Sequence, residues 1–159
     1  MGIGNEVCKM LETLKQGGYL PNNPAVIEIG AQQIADSLID DRRGLATLQA
    51  LFGATGVYAV PKPPKTHFIH GVLRHQHVDA PSARDFWKWL GFRYAAIDID
   101  GSPDSIPLDL NFDGTPEEHK GKYNLVTNFG TTEHIANQFN AFQVMHELTK
   151  HYGVMAHLL

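Results

Sequence analysis

One cysteine, Cys8, stands among 159 residues. It excludes an internal disulfide and any zinc site built on paired thiolates, and it makes a reducing compartment, the cytoplasm, the expected location. No apolar run is long enough to cross a bilayer, so no membrane association is expected. The first residues, Met1-Gly-Ile-Gly-Asn-Glu6, lack the basic-then-apolar order of a secretory signal and the Ser or Thr of a myristoylation site. A basic stripe is missing too. Lys and Arg number 13 against 17 Asp and Glu, the signs are interspersed, and the formal charge is -4. Phosphate backbones attract the opposite pattern, so nucleic acid is not implied as a partner and a small-molecule substrate is favoured. The chain also lacks a Gly-x-Gly-x-x-Gly turn, since Ala31-Gln32-Gln33 follow Gly30. That turn cradles a pyrophosphate, and its absence argues against a nicotinamide-dependent oxidoreductase.

What is there reads as one globular domain. The length suits a single core, and a hydrophobic fraction of 43% with 19% charged residues is ordinary for a folded chain. Val7, Met10, Leu11 and Leu14 recur at helical spacing before Gly17-Gly18, which predicts an amphipathic helix over 5–16. Asn22-Asn23-Pro24 precedes a short apolar strand, Ala25 to Ile29. Ile34, Leu38 and Ile39 suggest a helical turn; Asp40-Asp41-Arg42-Arg43 reads as a solvated, self-compensating charge cluster; Leu45, Leu48, Gln49 and Phe52 continue a helical pattern to Gly53. Residues 53–80 are the least regular, with Pro61, Pro63 and Pro64 breaking any helix. His67, His70, His75 and His77 fall there without a Cys partner or a helical His pair, so the segment reads as a polar insertion and no metal site is expected.

Ser82 caps the next helical stripe, Ala83, Phe86, Trp87 and Leu90, which Gly91 stops. Phe86, Trp87 and Trp89 fit a core better than a base-stacking platform. Tyr94 to Asp98 is a second strand, and Ile106 to Asn111 a shorter one whose Pro107 points to a sheet edge. Tyr123 to Thr127 follows as a strand. Ile135, Phe139, Phe142, Met145 and Leu148 then line one face of a long helix ending near His151-Tyr152-Gly153, and Val154 to Leu159 is the last strand. Strands alternating with helices predict an α/β fold with a parallel sheet and right-handed crossovers.

Three strand ends carry carboxylates: Glu28, Asp98 and Asp109. In such sheets ligands sit beyond the carboxyl ends of the strands, where a carboxylate can accept from ribose hydroxyls and a glycine such as Gly30 allows close approach. Over roughly residues 24–159 the pattern resembles the class I S-adenosylmethionine-dependent methyltransferases. Glu28-Ile29-Gly30 looks like the start of that family's first motif, Ile97-Asp98-Ile99-Asp100 like the acidic end of its second strand, and Asp109 like its third-strand acid. Tyr123 to His134, with its Glu133-His134 ending, is similar to the fourth-strand segment, and Leu148 to Met155 occupies the place of the turn into strand five.

The resemblance implies a Rossmann-like sheet of about five strands sandwiched by helices, in a single domain. Its parts would be an N-terminal helix (1–23), the first strand and helix (24–52), an insertion and helix (53–93), and strands two to five (94–159). The implied cofactor is S-adenosylmethionine. Glu28, Gly30 and Ala31 would border its methionine part, Asp98 would hold the ribose, and Asp109 the adenine end. Asn128, Phe129 and Gly130 would form the floor between sulfonium and acceptor. A general base is optional for such a transfer; Glu133 or His134 could serve, although for Glu133 a place at a helix N-terminus is the favoured reading. The incomplete glycine loop narrows the room for the methionine part, and about seventy positions separate Glu28 from Asp98 where about twenty is usual in dinucleotide folds. The family ordinarily continues past strand five with a further helix and strand pair. A fifth strand at the chain's end would be an apolar edge open to a second copy, and a fragment, a truncated product and an obligate oligomer all stay open. A sheet that binds cofactor or assembles without catalysis is the alternative function.

Overall fold

The computed structural model describes residues 2–58, 68–69, 72–73, 81–99, 101 and 104–158. In chain order these form α1 (Glu6–Gln16), β1 (Ala25–Ile29), α2 (Asp36–Asp40), α3 (Arg42–Phe52), β2 (Phe68–Ile69), β3 (Val72–Leu73), α4 (Ala83–Trp89), β4 (Arg93–Ile97), β5 (Ser105–Ile106), β6 (Tyr123–Phe129), α5 (Gln138–Leu148) and β7 (Thr149–Leu158). The main sheet has the order β5-β4-β1-β6-β7, and every pairing in it is parallel. This is a Rossmann-like α/β arrangement. β2 and β3 pair separately as a short antiparallel ribbon.

β1 is the centre of the sheet, with β4 on one side and β6 on the other. All five of its residues are buried, as expected of a parallel strand covered on both faces. Side chains alternate between those faces. Val26 joins a core with Val7, Leu11, Leu48, Phe86 and Trp87 from α1, α3 and α4, whereas Ala25, Ile27 and Ile29 join the core that α5 covers through Ala141, Val144, Met145 and Leu148. Phe86 and Trp87 are thus core residues. Among the described residues no helix is long and apolar enough to cross a membrane.

Several expectations need correction. Asp41 is more than a solvated charge: its carboxylate accepts from the Gly44 N–H at 2.8 Å and caps α3. α5 begins only at Gln138, where the Asn137 side chain accepts from the Asn140 N–H at 3.1 Å. Its buried face is Ala141, Val144, Met145 and Leu148, while Phe139 and Phe142 turn outward at 80% and 43% exposure. The bulky residues mark a different stripe from the one that meets the sheet. α5 also ends at Leu148 instead of near Gly153, because Thr149 already pairs with Tyr123. The register then jumps, so that Val154 faces Leu125 and residues 150–153 bulge out. Gly153 is required there, since a Cβ would lie 2.7 Å from the Lys150 carbonyl oxygen. The cluster His67, His70, His75 and His77 lies outside the described residues, as does Asp100.

Candidate functional site

A cavity of about 210 Å³ opens beyond the carboxyl ends of the strands. One wall is formed by Gly30 after β1 and Thr131 after β6; Ile97 ends β4, and Asp98 and Ile99 follow it; Leu108 to Asn111 follow β5; Ile135 closes the side toward α5. The strand order reverses at β1, and the turns leaving β1 and β6 both reach this crevice, which is where open α/β sheets place ligands.

Asp98 is one residue past β4. Its Oδ2 accepts from the Ala31 N–H at 2.8 Å, and its own N–H donates to the Ile106 carbonyl at 3.2 Å, so one residue ties the β1 turn to β5. Asp109 shapes a turn: its Oδ1 accepts from the Asn111 backbone N–H at 2.9 Å and from Asn111 Nδ2 at 3.0 Å. Asn111 Oδ1 in turn accepts from the N–H groups of Ala136 and Asn137, and Asn140 Nδ2 donates to the carbonyls of Leu110 and Asp113. This amide network fastens the cavity's outer wall to the start of α5. Asp109-Leu-Asn111-Phe-Asp113-Gly114 has the opening spacing of a calcium loop, yet Lys120 holds the place of its closing glutamate, and Asn111 Oδ1 is already engaged by two backbone donors.

Glu28 is placed elsewhere than at the cavity. It shares the face of Val26, so its carboxylate points into the layer of α4 and is fully buried. Trp87 Nε1 donates to Oε1 at 2.7 Å; the Tyr94 hydroxyl and the Gln32 N–H donate to Oε2 at 2.8 and 3.0 Å. Burial raises its pKa to about 7 although all three bonds favour the ionised form. Gln32 then stitches the two turns together, its Nε2 donating to the Gly30 carbonyl and to Thr131 Oγ1, each at 3.1 Å. Gly30 has φ +78°, and a Cβ on it would sit 2.3 Å from Thr131 Oγ1. The absent side chain makes room for the neighbouring turn as well as for a ligand.

The residues after β6 divide between the faces. Asn128 is fully buried and caps the turn, with Oδ1 accepting from the N–H groups of Thr131 (3.3 Å) and Thr132 (3.0 Å). Phe129 packs on the α1 side in the core. Neither these two nor Gly130 lines the cavity. Glu133 and His134 occupy a single 3-10 turn, Thr132–His134, with 3.9 Å between Glu133 Oε1 and His134 Nε2; they too lie off the cavity, and Glu133 is outside the first turn of α5, so the helix-dipole account does not apply to it. Cys8 is buried, and its thiol is pushed up to about 12 by burial and by Asp41 and Glu6, which leaves it a poor nucleophile.

Of the expected site residues, the structure therefore gathers Gly30, Asp98 and Asp109 around one cavity, with Ala31 bonded to Asp98. Sequence reasoning missed Thr131, Asn111 and Gln32 as site-shaping residues. The spacing Asp109-x-Asn111-x-Asp113 is the one signal that marks a polar turn there. No family model matches the chain, and neither a curated protein nor a solved structure matches it.

Proposed function

We propose that this chain is an S-adenosylmethionine-binding methyltransferase domain acting on a small molecule in the cytoplasm. The observation that carries the reading is the joint placement of Asp98 and Asp109 on one cavity that Ile97, Ile99, Leu108, Leu110 and Ile135 wall alongside Gly30, Asn111 and Thr131. A nucleoside needs that combination: carboxylate acceptors for sugar hydroxyls and an amino group, and apolar surface for a flat base. The residues fit the nucleoside half of the cofactor better than its amino-acid half, since Glu28 is turned away and Thr131 crowds Gly30. When bound, the sulfonium supplies an activated methyl group. The chain's part is then to hold donor and acceptor in line, with the turns after β1 and β6 locked to each other by Gln32. Glu133 and His134, lying off the cavity, are poorly placed as a base, which favours catalysis by alignment and keeps a binding module without turnover as the second reading.

Calorimetry with S-adenosylhomocysteine, S-adenosylmethionine and NAD tests this. Heat with the sulfur ligands and none with NAD is expected. Asp98→Asn, which keeps the size of the side chain, should weaken S-adenosylhomocysteine by about 1.5–3 kcal/mol, the scale of a hydrogen bond to a charged group. A folded sample that binds neither sulfur ligand refutes the proposal.

A further inference from the structure

The cavity above uses only one side of the β6 terminus. A second cavity, of about 240 Å³, lies on the α1 side and is lined by Glu6, Val7, Met10, Phe129, His157 and Leu158. Phe129 lines this one and Thr131 the first, with Gly130 between them. Two residues span at most roughly 7 Å, and Gly130 turns the chain with φ +87°, so the two cavities flank a single turn.

Four of the six lining residues are apolar, and the two polar ones have defined chemistry. Glu6 Oε1 accepts from the Gly4 N–H at 3.1 Å, and among the described residues Oε2 has no hydrogen-bond partner. His157 is oriented from below. Two backbone N–H groups bond Asn128 Oδ1, which fixes the amide so that Nδ2 donates to His157 Nδ1 at 2.7 Å. Nδ1 is therefore an acceptor, and the neutral ring carries its hydrogen on Nε2. The cavity thus offers one carboxylate acceptor, one imidazole and an apolar wall. A carboxylate at the rim of an apolar pocket attracts an ammonium and repels an anion.

We propose that this second cavity binds a small amine with an apolar body, its ammonium on Glu6 and its body against Met10, Phe129 and Leu158. As a binding site it stands alone; as the site of the methyl acceptor it rests on the methyltransferase reading. In that role one ammonium proton passes to the Glu6 carboxylate and on to solvent, and the freed nitrogen lone pair forms the new C–N bond. The S–C bonding pair stays on sulfur as a thioether.

The test is titration of the full chain with phenethylamine and with its neutral counterpart 2-phenylethanol, no sulfur ligand present, followed through methionine methyl resonances. Saturable binding of the amine that shifts Met10 is expected, with the alcohol about tenfold weaker or more. Glu6→Gln, which can still accept from the Gly4 N–H, should abolish that discrimination, and Leu158→Ala should weaken both ligands alike. Absence of a saturable shift, equal affinity for the two probes, or discrimination that survives Glu6→Gln overturns the site. Those results leave S-adenosylhomocysteine binding untouched, whereas loss of that binding with an intact amine titration removes only the acceptor role.

Discussion

Glu28 makes a strong demand on pH. Its carboxyl is raised from 4.5 to about 7 by burial, so between these values the folded chain holds a proton that the unfolded chain has released. Stability from this group is complete below about pH 4.5, falls as pH rises, and is lost above about pH 7. At about 1.36 kcal/mol per unit the whole span is worth about 3 kcal/mol. Glu28→Gln removes the titration. The amide cannot satisfy all three donors: whichever way it is turned, its NH2 confronts either Trp87 Nε1 or the Gln32 N–H. One buried donor is left unmet, at about 1–3 kcal/mol. The variant should therefore be clearly less stable than the parent at pH 5 and should close most of the gap by pH 8, as the parent loses its proton. Urea unfolding of both proteins at half-unit steps measures this, because every other titrating group cancels in the difference. A difference that stays constant from pH 5 to 8 would refute the reasoning and assign Glu28 an ordinary pKa in the folded state.

Four further substitutions probe the packing. Gly30→Ala meets both a positive φ and the Thr131 hydroxyl, and should lower stability by about 1–3 kcal/mol; Thr131→Ala in the same chain should recover part of the loss in thermal unfolding, since the clash is relieved while the backbone strain stays. Phe139→Ser, at an outward position of α5, should change stability by no more than about 0.5 kcal/mol, whereas Val144→Ser on the buried face should cost several times that, as read by denaturant midpoints.

The frame of the fold was readable because its signals are local. Ala25 to Ile29 is an apolar run between turn residues, Ser82 does cap α4 through the Arg84 N–H, and the strand expected over Ile106 to Asn111 does lie at the sheet's edge, although it is only Ser105–Ile106 and stops before Pro107. The direction of Glu28 was not readable. In a strand buried on both faces the residues show no polar alternation, so nothing in AVIEI tells which layer the fourth side chain enters. Asp98 and Asp109 were easier, since they lie past their strands, where the chain reaches the crevice. The work of Asn111 depends on Ala136 and Asn137, distant in sequence, and leaves no local mark. Phe139 and Phe142 misled for a related reason: they keep helical spacing with Met145 and Leu148, and nothing in the sequence tells which of two adjoining stripes meets the sheet.

The parallel pairing of β1 with β4 sets Ala25 beside Arg93, so the sheet is closed across a long connection. Loop-closure entropy grows only with the logarithm of length, and doubling such a connection costs about 0.6 kcal/mol. A change in the length of the stretch between α3 and α4 therefore costs the β1–β4 pairing little in closure entropy.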